Sequence, residues 1–166
     1  MYKSINIKQK EDAIKALYGF KEKEYSPIDI RFTNTNLLMV NRLVRRNIFS
    51  KNDLYVNSDT LHDIMQPIGG KRVHNFHGLT PEEILQVLNN LTNPYCIYKT
   101  KENRYGIVST IHRKSGETII IIVEVGSGLI GQMDANINKF VTMYPKTDIG
   151  NIISNKESIL YLNINL

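Results

Sequence analysis

Six polar side chains between residues 104 and 144 carry the groups that proton-transfer chemistry needs: Arg104, Thr110, His112, Glu124, Thr142 and Tyr144. The stretch is strand-like, and a period-two reading can place them on one face. A carboxylate at the end of an apolar strand is costly unless paired. Glu124 is therefore expected to meet Arg104 or His112 on the neighbouring strand. Two readings stay open for it: a cross-strand ion pair that holds register, or a general base beside a cation and an imidazole. The chemistry that suits the set is cleavage of RNA through its own 2′-hydroxyl. That reaction needs a base for the 2′-OH proton, an acid for the leaving 5′-oxygen, and donors around the phosphorane. Histidine serves both proton transfers because it titrates near neutral pH. Arginine forks onto phosphate oxygens, and Thr and Tyr hydroxyls donate to the same atoms. The dense acidic cluster of two-metal nucleases is missing from the sequence, and no cofactor is expected.

The elements that must hold these groups follow from periodicity. Residues 104–113 read as a strand whose odd positions, Tyr105, Ile107, Ser109 and Ile111, are the more apolar and should face helices. Its even positions form a thin polar side. Residues 117–125 are apolar on both faces and read as a central strand, joined to the first by a tight turn at Gly116. Residues 137–144 form another strand, with Val141 and Met143 expected in the core and Phe140, Thr142 and Tyr144 on the other side; Pro145 should end it. Residues 95–99 and 158–164 complete the β-rich half, with a helical turn at 148–154.

Upstream, helices are expected over 8–20, 35–49 and 60–65, with short strands at 28–32 and 54–56. A helix from Thr80 to about Leu91 has the clearest start. Thr80 is an N-cap, Pro81 takes the first helical position, and Glu83 completes a capping box. Asn93-Pro94 ends it. The expected fold is α+β, with N-terminal helices packed on one face of a four- to five-stranded antiparallel sheet. Residues 1–53 read as a helical extension and 54–166 as the main domain, the two able to pack as one.

A chain of 166 residues can bury about 70% of its unfolded surface, enough for a core without staples. The net charge of +5 and a pI near 9.2 favour polyanionic partners. Arg42, Arg45 and Arg46 lie late in the predicted 35–49 helix, where they either complement its dipole or contact phosphate. Lys71 and Arg72 fall in an irregular stretch with His74 and His77, and His62 lies just upstream. No carboxylate or cysteine completes a metal set with these histidines. The lone Cys96 rules out an internal disulfide and reads as a small core residue. No apolar run approaches the roughly 20 residues of a membrane helix, and the N-terminus lacks the apolar core of a signal peptide.

The segments LYVNSDTLHDIM, HGLTPEEILQVLNNLTNPYCIY, RYGIVSTIHRKSGETIIIIVEV, FVTMYPK and SILYLN together resemble the C-terminal toxin domain of phage MuF-type head proteins. The resemblance covers about residues 54–162, and the helix–Asn-Pro–strand junction and the Thr-x-Tyr strand are its most specific parts. That domain is grouped with barnase, EndoU, colicin-type tRNases and RelE. The resemblance implies helices on a four-stranded antiparallel sheet and metal-independent ribonuclease activity, often as a toxin in bacterial or phage conflict. Carried onto this sequence, it implies His62, His77, Arg104, Thr142 and Tyr144 as functional positions. His112 and Glu124 rest on the strand-face argument alone. The expected function is a phage-associated ribonuclease or toxin acting on RNA in the bacterial host cytoplasm, with a protein antitoxin or a host complex as partner. Read as complete from Met1, with no carrier domain, the chain also fits a second function: a non-catalytic phage protein that binds nucleic acid or a host nucleoprotein complex, such as an inhibitor of host defence.

Overall fold

The computed structural model describes residues 2–23, 26–69, 75–126 and 137–165. Lys71, Arg72 and His74 lie outside these residues, as does most of the loop expected at 126–131. The strands are β1 (Tyr2–Asn6), β2 (Asp29–Thr33), β3 (Leu54–Asn57), β4 (Cys96–Lys101), β5 (Arg104–His112), β6 (Thr118–Val125), β7 (Asn138–Lys146) and β8 (Ile159–Leu162). The helices are α1 (Lys10–Lys21), α2 (Leu37–Val44), α3 (Ser58–Ile64), α4 (Pro81–Leu88) and α5 (Gly150–Ser154).

The expected four- to five-stranded antiparallel sheet is overturned. Among the described residues, eight strands join one mixed sheet in the order β1-β2-β3-β7-β6-β5-β4-β8. The β1–β2 and β3–β7 pairs are parallel, and the others are antiparallel. β1 escaped the sequence reading because an edge strand needs only one apolar face; Ile5 is buried while Lys3, Ser4 and Asn6 are not. A parallel partner needs a crossover, and α1 supplies it between β1 and β2. Helix α2 is shorter than expected. Arg45 takes a left-handed conformation (φ 56°) and closes it, and Asn41 bridges to the backbone of Ile48 and Phe49.

Helices α1 to α4 cover one face of the sheet. Leu17 and Phe20 of α1, Leu61 and Ile64 of α3, and Ile84, Leu85 and Leu88 of α4 pack on Ile107, Ile119, Ile121, Val123, Phe140 and Met143. Thr80 caps α4 as the sequence predicts, accepting from the Glu83 amide at 3.0 Å while Glu83 accepts from the Thr80 amide at 2.9 Å. Arg113 then clamps the β5–β6 hairpin to this cap, donating to Glu83 at 2.8 Å and to the Gly78 carbonyl at 3.2 Å.

The opposite face differs from the thin polar side expected of it. Its middle is a second apolar cluster of Cys96, Tyr98, Val108, Ile120 and Ile122, covered in part by Ile149 and Ile152 beside and within α5. A bulge decides which residues of β7 reach it. On β7 one extra residue sits between the pairs Ile122–Thr142 and Val123–Phe140. An inserted residue reverses side-chain alternation beyond it. Phe140 therefore turns into the main core, and Val141 packs with the second cluster, the reverse of the expected assignment. Pro145 does not end β7; it pairs with Ile119 inside the strand. β3 reaches only Asn138 and Lys139, so among the described residues no strand flanks this part of β7 on the side away from β6, an edge where proline's missing donor is tolerated.

Cys96 is fully buried in the second cluster. Burial pushes its thiol up from the ordinary 9.0 to about 11. The folded chain then holds this proton where the unfolded chain releases it, so the contribution to stability is complete below about pH 9 and is lost as pH rises towards 11. Native protein should resist alkylation near neutral pH and label only once unfolded, as measured by mass spectrometry; rapid native labelling contradicts the buried placement. Among the described residues, no helix is long and apolar enough to cross a membrane.

Candidate functional site

A polar concavity opens where β3 stops. Asn138 fastens the β3–β7 junction by donating to the carbonyls of Lys51 and Asp53 at 2.8 and 3.0 Å. Beyond Asn138 and Lys139, β3 leaves β7, and Asn57 caps α3 by accepting from the Asp59 amide at 2.9 Å. The gap this leaves along β7 is walled by α3 on one side and by residues 75–78 on another. That loop is tied to the end of α3: the Gly78 amide donates to Gln66 at 2.8 Å and the Leu79 amide to Ile64 at 3.0 Å. Gly78 has φ +64°, a conformation that favours glycine. The resulting cleft has a volume of about 550 Å³. Its polar lining is Thr60 and Asp63 from α3, Asn75 and His77 from the loop, and Thr142 and Tyr144 from β7.

His77 and Tyr144 face each other here, their ring centroids 5.9 Å apart and their planes at 45°. Tyr98 and Tyr144 meet in the second apolar cluster. Burial, and then a hydrogen bond to Tyr144, push the Tyr98 phenol well above its usual range. The Tyr98 ring lies over Gly106, where a Cβ would stand 2.3 Å from two ring carbons. The chain Gly106–Tyr98–Tyr144–His77 thus runs from the sheet's second face into the cleft.

The other expected site residues lie elsewhere. Arg104 and Glu124 are direct cross-strand partners, joined through Arg104 Nε and Nη2 to one carboxylate oxygen at 3.1 and 2.9 Å. This is a cross-strand ion pair, and it engages two of the three guanidinium nitrogens. His112 ends β5 with Nδ1 3.2 Å from the Thr118 hydroxyl, in a pocket separate from the cleft. His62 turns away from the cleft although its neighbours Thr60 and Asp63 line it. Its Nδ1 reaches the carbonyls of Phe20 and Lys21 at 3.2 and 3.0 Å. Two carbonyl partners require a proton on Nδ1, so His62 caps the end of α1, and the 3.3 Å approach of the Gln66 amide nitrogen is proximity between two donors. Arg42, Arg45 and Arg46 are all exposed on and just after α2.

Of the cleft residues, Thr60, Asp63 and Asn75 were missed, as was Tyr98 behind them. Thr60 and Asp63 stand three apart on a helix, which puts them on one face, but nothing in the sequence says that face meets β7. Gly106 is a readable signal, since a glycine inside a strand often marks a close approach. Among the described residues, no three His, Cys, Asp or Glu side chains gather as a metal cluster.

Residues 70–165 match the model of the phage MuF C-terminal domain. The match covers more than half of the chain, from the cleft loop through β8, and the chain belongs to that family. No curated protein and no solved structure matches it. His77, Tyr98, Gly106, Thr142 and Tyr144 all fall inside the matched segment, and α3 with His62 falls outside it.

Proposed function

We propose that this MuF C-terminal domain protein is a ribonuclease or toxin of the barnase, EndoU, colicin and RelE kind, cleaving RNA by metal-independent acid–base chemistry in the β7 cleft. The observation that carries this reading is the convergence of His77, Thr142 and Tyr144, from two separate segments, on one concave site. In the reaction, the His77 imidazole takes the 2′-OH proton and the 2′-oxygen attacks phosphorus. The bond from phosphorus to the 5′-oxygen breaks, and the Tyr144 hydroxyl supplies the proton to that leaving oxygen. A 2′,3′-cyclic phosphate and a 5′-hydroxyl result. Thr142, Thr60 and Asn75 offer donors to the phosphorane oxygens, the kind of preorganised stabilisation that is worth roughly 3–4 kcal/mol per donor when removed. Lys71 and Arg72, close before His77 in sequence, are the cations assigned to the RNA backbone. Arg104 and Glu124 support the sheet beneath the site. The place of action is the cytoplasm of a bacterial host, where an antitoxin would block the cleft.

A second reading is favoured by the exposure of Arg42, Arg45 and Arg46 together. On this reading the chain binds nucleic acid or a host nucleoprotein complex without cutting it, including as an inhibitor of host defence, and these arginines contact phosphates. Induced expression in bacteria separates the two. Cleavage predicts growth arrest that Tyr144→Phe relieves and that a variant neutralising the three arginines retains. Harmless high-level expression of the unaltered chain contradicts it.

A further inference from the structure

The pocket around His112 is a built concavity on the same sheet face as the Tyr98–Tyr144 pair, and the acid–base scheme makes no use of it. Its volume is about 520 Å³, and it is lined by Tyr95, Ser109, Thr110, His112, Thr118 and Ile149. That size, with apolar surface from Tyr95 and Ile149 and polar groups from Ser109, Thr110, His112 and Thr118, is that of a small-molecule subsite. The pocket exists because β5 is bulged. Between the pairs Val108–Ile120 and His112–Thr118, β5 advances four residues against two on β6. Buried Ser109 locks the bulge, its hydroxyl donating to the Ile119 carbonyl at 2.6 Å and accepting from the Ile111 amide at 3.2 Å. Two extra residues restore the alternation, so His112 returns to the face of Val108 and meets Thr118.

We infer that this pocket holds one nucleobase of an RNA strand. The inference rests on the ribonuclease reading for its choice of ligand and goes beyond it in assigning base selection to a second site. The phenol ring of Tyr95 and the side chain of Ile149 give the pocket the apolar surface that a flat ring buries. The pair His112–Thr118 gives it an edge that reads a heterocycle. With His112 Nδ1 engaged by Thr118, ring nitrogen Nε2 is left as the complementary donor or acceptor, and the Thr110 hydroxyl adds a group of either sense. Lys146 is the cross-strand partner of Thr118, a cation beside the pocket in reach of the attached phosphate. Tyr144 lies two residues before Lys146 on the same face of β7, about 7 Å along the strand. A strand whose scissile phosphate sits in the His77 cleft therefore passes Lys146 and delivers a neighbouring base to His112. His112 acts in selection and takes no proton from the reacting hydroxyl.

The test is a titration of the isotope-labelled full chain with each of the four ribonucleoside 5′-monophosphates, with uridine and adenosine, and with inorganic phosphate. The His112 ring and the Thr110 and Thr118 amides are followed by NMR. Nucleotides should shift these signals in the pocket, and the best base should bind about tenfold more tightly than the worst. Thr118→Val, which keeps the side chain's shape, should erase that preference. Absence of shifts at millimolar nucleotide, equal shifts with inorganic phosphate, or a preference untouched by Thr118→Val would overturn the inference. The two readings fail separately. RNA cleavage with a base preference indifferent to Thr118→Val removes the subsite and leaves the cleavage site. Selective nucleotide binding here by a chain that cuts nothing keeps the pocket and removes the cleavage.

Discussion

Replacing His77 with alanine should lower RNA cleavage by about 10²–10⁴-fold, the range for loss of a positioned general base, with little change in thermal stability. His77 sits in a loop and contacts the Tyr144 ring across the cleft, and it is no part of the buried core. Tyr144→Phe tests the partner more sharply, because it keeps the ring and removes only the hydroxyl. On the proposed scheme it costs the leaving group its proton and should lower cleavage by about 10²–10³-fold, comparable to deleting one preorganised donor. The histidine that caps α1 provides the contrast. His62→Ala removes a hydrogen bond to α1 at a cost of about 1 kcal/mol and should leave the rate of the folded enzyme unchanged. Single-turnover cleavage beside thermal melts reads all three variants. A rate loss in His62→Ala equal to that in His77→Ala would place the chemistry elsewhere.

Gly106→Ala should be the most damaging small substitution in the sheet. The new Cβ would stand 2.3 Å from Cε1 and Cζ of Tyr98 and 2.6 Å from its hydroxyl oxygen, so the ring must leave. Overpacking of this kind costs about 1–3 kcal/mol, or a fall in Tm of roughly 2–12 °C for a chain of this length. Displacing Tyr98 also removes the phenol that packs beside Tyr144, so cleavage should fall along with stability. Tyr98→Phe separates the two effects: it keeps the ring over Gly106 and removes only the hydroxyl. It should lower the cleavage rate while leaving KM nearly unchanged, since the contact it loses orients a reacting group and binds no RNA. A Gly106→Ala protein with unaltered Tm would mean that the Tyr98 ring does not lie where the structure puts it.

The parts of the fold that could be read from sequence are those in which local chemistry and tertiary packing agree. The α4 start was legible because Thr80, Pro81 and Glu83 each satisfy a backbone demand at a fixed offset. The β5–β6 hairpin was legible from its turn and from the doubly apolar β6. That Glu124 would pair with Arg104 or His112 followed from the cost of an unpaired carboxylate, and the register selects Arg104. What stayed hidden depends on distant partners. β1 is polar outside Ile5 and becomes a strand because β2 and α1 give it a neighbour and a cover. The Val141 bulge reversed the faces of Phe140 and Val141, since one inserted residue defeats any period-two argument. The two-residue insertion at Ser109–Ile111 left the parity of His112 intact, so Ile111 packs on the helix side and Thr110 and His112 share the other face, as the period-two reading has them. The cleft itself could not be read, because it is a gap between β7 and α3 created by the shortness of β3.

The most direct measurement is incubation of the purified protein with total bacterial RNA in the presence of a chelator, with the product ends analysed. The account predicts cleavage that the chelator does not slow, fragments ending in a 2′,3′-cyclic phosphate and beginning with a 5′-hydroxyl, and loss of both in His77→Ala and Tyr144→Phe. Intact RNA, or cleavage that the chelator abolishes, would contradict it.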